Sequence, residues 1–133
     1  MTTFGAIGIA GSGMTVNRKW LDAVSDNIAN INQVSRSDEA AFQARFVLAR
    51  EIGGAGDPGV QVQGLSYSSP EGRLVHDPSH PLADGSGHVR VPDIDLGSQM
   101  SQLIIAQRAY QANATVVDRA KEAYQAALQI GRN

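Results

Sequence analysis

The sequence predicts a mainly α-helical protein with a small β insertion, its N- and C-terminal long helices paired as an antiparallel, coiled-coil-like core. Three observations carry this prediction. Apolar and small residues recur at steps of three and four near both ends of the chain. The stretch from Ser98 to Ile130 contains neither proline nor glycine and is rich in alanine, the best helix former. Between the two ends, glycine and proline punctuate short alternating runs, the pattern of strands and turns. Three segments follow: residues 1–32 and 95–133 as the helices of the core, and 33–94 as the β-rich insertion.

In the first segment, Phe4, Ile7, Gly11, Met14, Arg18, Leu21, Ser25 and Ile28 fall on one heptad-like stripe, widened by Ala6, Ala10, Val24 and Ile31. Gly5, Gly8, Gly11 and Gly13 weaken its first half, each costing about 1 kcal/mol relative to alanine in a helix interior. The front of this helix therefore needs something packed against it. No charged side chain occurs before Arg18. A secretory leader places its basic residues ahead of the apolar run, and a membrane span needs about 20 mostly apolar residues. Neither pattern is present, so the chain is expected to travel without a cleaved leader and not to insert into a membrane.

In the middle segment, Phe42 to Val47 reads as one extended run. Val60, Val62 and Leu65 form a second, after the turn signal at Asp57, Pro58 and Gly59. Gly72 to His76 and Gly87 to Val91 are the third and fourth, separated by the turn-rich Asp77 to Ser86. A small antiparallel sheet or pair of hairpins is expected.

The last helix opens after Pro92, with Asp93 or Asp95 available as N-cap, and ends at Gly131. Its stripe is Leu96, Met100, Leu103, Gln107, Tyr110, Ala114, Val117, Lys121, Tyr124 and Leu128. Beside the stripe lie Ile104, Ala106, Ala109, Ala112, Ala120, Ala123, Ala127 and Ile130, so small or apolar residues cover most of the circumference. A single partner helix buries one stripe only. The chain offers one other long helix, and the remaining neighbours must be other copies or other subunits.

Composition excludes several alternatives. Lys+Arg number 11 against Asp+Glu 13, a formal net charge of −2. There is no basic excess to neutralise phosphates, and nucleic acid is not an expected partner. Cysteine is absent, which removes disulfides, thiolate metal sites and cysteine nucleophiles. Only 5% of residues are aromatic, too few large side chains for a wide globular interior.

The run Leu21-Asp22-Ala23-Val24-Ser25-Asp26-Asn27-Ile28-Ala29-Asn30, together with Arg108-Ala109-Tyr110-Gln111-Ala112-Asn113 near the other end, resembles the paired signatures of the flagellar rod and hook axial family. Leu74 to Asp84, followed by Gly87, Val89, Pro92, Asp93, Ile94 and Asp95, is similar to the loop of the family's proximal-rod members. A distal-rod or hook member would carry a much larger insertion.

The resemblance implies a structural subunit of the basal-body rod, exported unfolded through the flagellar type III apparatus and transmitting torque. It implies helical stacking across the periplasm, with the terminal helices forming an inner tube and the insertion facing outward. Its partners would be other rod subunits, copies of itself, the membrane-embedded motor ring complex and the surrounding periplasmic rings. The expected assembly interface comprises Leu21, Ile28, Leu103, Tyr110, Val117, Tyr124 and Leu128 on the heptad stripes, with Asn27, Asn30 and Asn113 from the signatures. Asn27 and Asn30 are also suited to ending the first helix, because asparagine bonds exposed carbonyls and tolerates the left-handed conformation.

Two rival readings come from the residues. Another axial-family rod subunit is the first. The second is a small metal-dependent enzyme built on His76, Asp77, His80, Asp84 and His88, since imidazole and carboxylate are zinc-type ligands. Pro78 and Pro81 forbid the helix that would align His76 with His80, so the loop reads as a turn whose side chains cap backbone groups. Gly11-Ser12-Gly13 lacks the strand-turn-helix setting of a nucleophile elbow. Gly53, Gly54 and Gly56 lack the spacing and lysine of a phosphate loop. No catalytic residue, cofactor or metal is expected.

Overall fold

The computed structural model describes residues 3–54 and 58–132. Helix α1 (Thr3–Ala29) is followed by β1 (Ser35–Arg36), β2 (Arg45–Ile52), β3 (Gly59–Tyr67), β4 (Arg73–His76), β5 (His88–Val91) and α2 (Leu96–Ile130). The fold is mainly α with a small β insertion. Gly56 and Asp57, part of the expected loop tip and turn, lie outside the described residues. The chain divides into two compact units, one built from Met1–Leu21, Leu48–Gly64 and Ile104–Asn133, the other from Asp22–Val47 and Leu65–Leu103.

In the second unit, β1, β5 and β4 form an antiparallel sheet in that order. Ser35 lies opposite Arg90, and on the other side Val75 lies opposite Val89 and His76 opposite His88. Val89, on the central strand, is buried, as are Ala41, Ala44, Pro92 and Ile94. Arg90 ties the sheet to its surroundings, its guanidinium donating to the carbonyls of Ser37 and Glu71. The two-residue β1 has no counterpart in the sequence reading, because a pairing this short leaves no periodicity. The run expected at Phe42 to Val47 becomes β2 only from Arg45 onward. Ahead of it, the Ala44 N–H is taken by the Ser68 hydroxyl (2.8 Å), which displaces a ladder bond.

The turn between β4 and β5 is closed by backbone bonds from Asp77 N to Gly87 O (2.9 Å) and from Gly87 N to Asp84 O (2.9 Å). Gly87 has φ +77°, a conformation open to glycine at little cost. The Asp84 carboxylate accepts from Ser86 N, Ser86 Oγ and His88 N at 2.7–2.9 Å. A hydrogen bond from the Ser37 side chain, then those from His88 and Ser86, hold it well below the usual carboxylate range, against a smaller opposing effect of burial.

Helix α2 begins as its sequence implies. Of the two candidate caps, Asp95 is the one used: its Oδ2 accepts from Ser98 N at 2.7 Å. At the other end Gly131 N bonds Ala127 O (3.1 Å).

In the first unit, small residues set the distance between elements. A Cβ on Gly13 would lie 2.8 Å from the Asn113 amide nitrogen, and one on Gly59 would lie 2.8 Å from Ser12 Oγ. Ser12 donates to Ile9 O (2.7 Å) and accepts from Val60 N (3.1 Å), pinning the start of β3 to α1. Phe4 and Tyr124 meet edge to face, with ring centroids 5.4 Å apart.

The shielded stripes differ in register from the predicted ones. On α1 they run through Ala10, Gly13, Val16, Trp20, Val24 and Asn27; on α2 through Gln99, Leu103, Ala106, Tyr110, Asn113, Val117 and Ala120. The predicted α2 stripe shares Leu103, Tyr110 and Val117, and its Ala114 is half-buried as well, but its Leu96, Met100, Gln107, Lys121, Tyr124 and Leu128 are exposed. Close helix approach favours Gly and Ala, and it turns Phe4, Leu96 and Met100 outward.

Two expectations follow from the turns. Gly72 has φ +53°, and a Cβ there would fall on the Val91 carbonyl and the Ala41 methyl. Gly72→Ala combines a left-handed backbone penalty of about 1–2 kcal/mol with overpacking of about 1–3 kcal/mol, which chemical denaturation would register. Asp84→Asn removes charge from the β4–β5 turn and should speed hydrogen exchange at the Ser86 and His88 amides. Because the folded state depresses the Asp84 pKa, its contribution is complete above the normal carboxylate range and declines only in strong acid. Wild-type protection at these amides should therefore persist at pH 5.

Candidate assembly interface

Polar side chains are costly to bury unless every donor and acceptor is matched. Asn27 is 0% exposed, and Gln99 is 4% exposed. The Asn27 amide donates to Arg45 O (3.0 Å) and to Gln99 Oε1 (3.0 Å), and its carbonyl oxygen accepts from Arg45 N (2.8 Å). One side chain on α1 thus binds the first residue of β2 and the first turn of α2, within the second unit. Beside it, Arg45 Nη1 and Asp26 Oδ2 form a half-exposed ion pair at 3.1 Å.

Asn30 and Asn27, alike in the sequence, have different tasks. Asn30 Nδ2 donates to the Asp26 carbonyl (2.8 Å), capping the end of α1. It does so without a left-handed backbone, since no described non-glycine residue has positive φ. Asn27 instead makes a tertiary bridge to a residue 72 positions away. Asn113 bonds Ala109 O on its own helix (3.0 Å) and packs on Gly13.

Of the other candidate interface residues, Leu21, Ile28, Leu103, Tyr110 and Val117 are half-buried, while Tyr124 and Leu128 are exposed. Leu96, Met100, Ile104, Ile105, Val116 and Ile130 on α2 are exposed as well, and so is Phe4, at 67%. The β2–β3 pair exposes Leu48, Val62, Leu65 and Tyr67. Apolar surface concentrated in this way on α2 and a two-stranded ribbon marks a protein that associates.

The histidine loop is arranged otherwise than a helix would have it. His80 Nδ1 accepts from Leu82 N (3.1 Å). His76 and His88 meet across the sheet, with ring centroids 4.9 Å apart. Among the described residues, no three His, Cys, Asp or Glu side chains converge as a metal cluster. Also among them, no helix is long and apolar enough to cross a membrane.

Asn27→Ala would leave the Gln99 amide oxygen and both backbone groups of Arg45 without their partner. An unsatisfied buried group costs about 1–3 kcal/mol; the Gln99 oxygen incurs this in full and the part-buried Arg45 groups only a fraction of it, so a loss of about 2–4 kcal/mol is expected. Asn30→Ala, which removes only a cap, should cost about 1 kcal/mol. Urea unfolding of the two variants checks the order.

Residues 7–36 match the family model described as flagella basal body rod protein, and residues 86–130 match that of the flagellar basal body rod FlgEFG protein C-terminal region. The two matches take in Asn27, Asn30, Tyr110 and Asn113. The chain is 32% identical over 126 residues to the flagellar basal-body rod protein FlgC of Salmonella typhimurium, covering 93% of this chain and 94% of the relative. It is 30% identical over 150 aligned residues to FlgC of Borreliella burgdorferi, covering 98% of each. With FlgC of Bacillus subtilis the identity is 29%, covering 99% of this chain and all of the relative. Matched to these relatives along nearly its whole length, the chain belongs to the FlgC family of flagellar basal-body rod proteins.

Proposed function

We propose that this structural rod subunit works through packing alone, transmitting torque from motor to hook and filament across the periplasm, with no catalytic role. The segments 1–32 and 95–133 form the axial core as an antiparallel coiled-coil-like pair, and 33–94 faces outward. What supports the pairing is the reversed order of contacts. Phe4 meets Tyr124 and Gly13 meets Asn113 in one unit, and Asn27 meets Gln99 in the other.

The single observation that carries the mechanism is the division of apolar residues by size. The fully buried apolar side chains of the two helices are alanine and valine, at Ala10, Val16, Ala23, Val24 and Ala106, while Phe4, Leu96, Met100, Ile104, Ile105, Tyr124, Leu128 and Ile130 are exposed. A subunit that keeps its larger apolar side chains outward holds most of its burial energy in reserve for neighbours. Contacts of this kind that do not close on themselves generate helical assemblies. The assembly interface comprises Leu21, Asn27, Ile28, Asn30, Leu103, Tyr110, Asn113, Val117, Tyr124 and Leu128, extended by the outward Met100 and Ile104. Its partners are other rod subunits and copies of itself, with the motor ring complex and the periplasmic rings around them.

Met100→Asp and Leu128→Asp test this proposal. Each side chain is exposed in the isolated subunit, so folding stability should change by less than about 0.5 kcal/mol. In the rod, each substitution forfeits about 1.5–3 kcal/mol of apolar burial and desolvates a carboxylate. Export should continue while basal-body yield and swimming collapse. Gln63→Asp, on the insertion, should swim normally. Normal motility of both helix variants would mean that this face of α2 meets no neighbour.

A further inference from the structure

We propose that His76 and His88 form a two-imidazole site for a divalent ion of the zinc, nickel or copper(II) type. The two residues lie directly opposite each other on antiparallel β4 and β5, which directs both side chains to one face of the sheet. The sequence reading set a metal aside because Pro78 and Pro81 prevent a helix across the loop. Strand pairing brings two imidazoles together without one.

The ring geometry suits an ion. Two imidazoles bound through nitrogens at about 2.0–2.1 Å have ring centres about 4.5 Å apart at right-angled positions and about 5.2 Å apart at tetrahedral ones. The observed separation is 4.9 Å, and the planes are inclined by 60°, so the rings are not stacked face to face. Gly87 leaves the space that the His76 ring occupies: a Cβ there would stand 3.0 Å from His76 Cε1.

The polar groups behind His88 fix which nitrogen is available. Ser86 Oγ lies 2.7 Å from Asp84 Oδ1 and 3.1 Å from His88 Nδ1. A carboxylate can only accept, so the hydroxyl proton goes to Asp84. The hydroxyl oxygen then accepts from His88 Nδ1–H, leaving the Nε2 lone pair free. A metal-binding histidine donates its second ring N–H to an acceptor that fixes its tautomer and orientation, and Ser86 Oγ, held by Asp84, is that acceptor here. His76 is exposed and His88 half-buried, so an ion can enter with water in its remaining positions. It would tie the ends of β4 and β5 together and stabilise the folded chain by mass action.

Titration of the purified full chain with copper(II) chloride, followed by calorimetry and electron paramagnetic resonance, tests the site. Wild type should bind an ion at micromolar concentration with two imidazole nitrogens in its equatorial plane. His76→Ala and His88→Ala should each weaken binding at least about 10-fold and leave a single imidazole nitrogen, and Ser86→Ala should weaken it about 10-fold while keeping both. His80→Ala should bind as wild type does. Circular dichroism shows whether each variant is folded, and in the folded wild type the nitrogen count stands on its own. Wild-type affinity weaker than millimolar, a single imidazole nitrogen in wild type, or binding indifferent to both histidine substitutions would overturn the proposal.

Discussion

The hydrogen bonds of Asn27 are the constraint from which the second unit is built. A buried carboxamide must satisfy two donor hydrogens and an oxygen, and Asn27 spends them on both backbone groups of Arg45 and on Gln99. This fixes where the chain re-enters as β2 and where the first turn of α2 stands relative to α1. An apolar residue of similar volume could fill the space without specifying the geometry. A polar group that is satisfied in one arrangement only makes other arrangements expensive.

Around that anchor the helices are economical inside and generous outside. Gly13 and Ala10 on α1, and Ala106 on α2, occupy shielded positions where larger side chains would force elements apart. On α2, Leu96, Met100, Ile104, Ile105, Leu128 and Ile130 are left exposed for other contacts.

The insertion is held by different means. Its core is thin, with Val89, Ala41, Ala44, Pro92 and Ile94 buried, and much of its order comes from side chains that close turns. Arg90 gathers the carbonyls of Ser37 and Glu71, and Asp84 gathers the amides of the β4–β5 turn. The same turn holds His88, whose backbone N–H bonds the Asp84 carboxylate and whose Nδ1 lies 3.1 Å from Ser86 Oγ, so a structural device and a candidate ligand share their hydrogen bonds.

The sequence by itself determined the elements whose causes are local. Both long helices follow from three-and-four spacing and from the proline-free, glycine-free run after Ser98. The α2 start follows from an Asp95 cap, and β4 and β5 from short alternating runs between turn residues. The motifs around Asn27 and Asn113 also sufficed for the family. Tertiary structure alone decided what depends on distant partners. The helix register was set by the facing surface, which periodicity does not contain, so that Trp20, Leu103 and Tyr110 are shielded together with Ala10, Gly13 and Ala106. Asn27 and Asn30 read alike as caps, but only one has Arg45 and Gln99 within reach. His76 and His88 became neighbours through strand register, since which residues face each other across a sheet is fixed by the turn between them and not by their spacing along the chain.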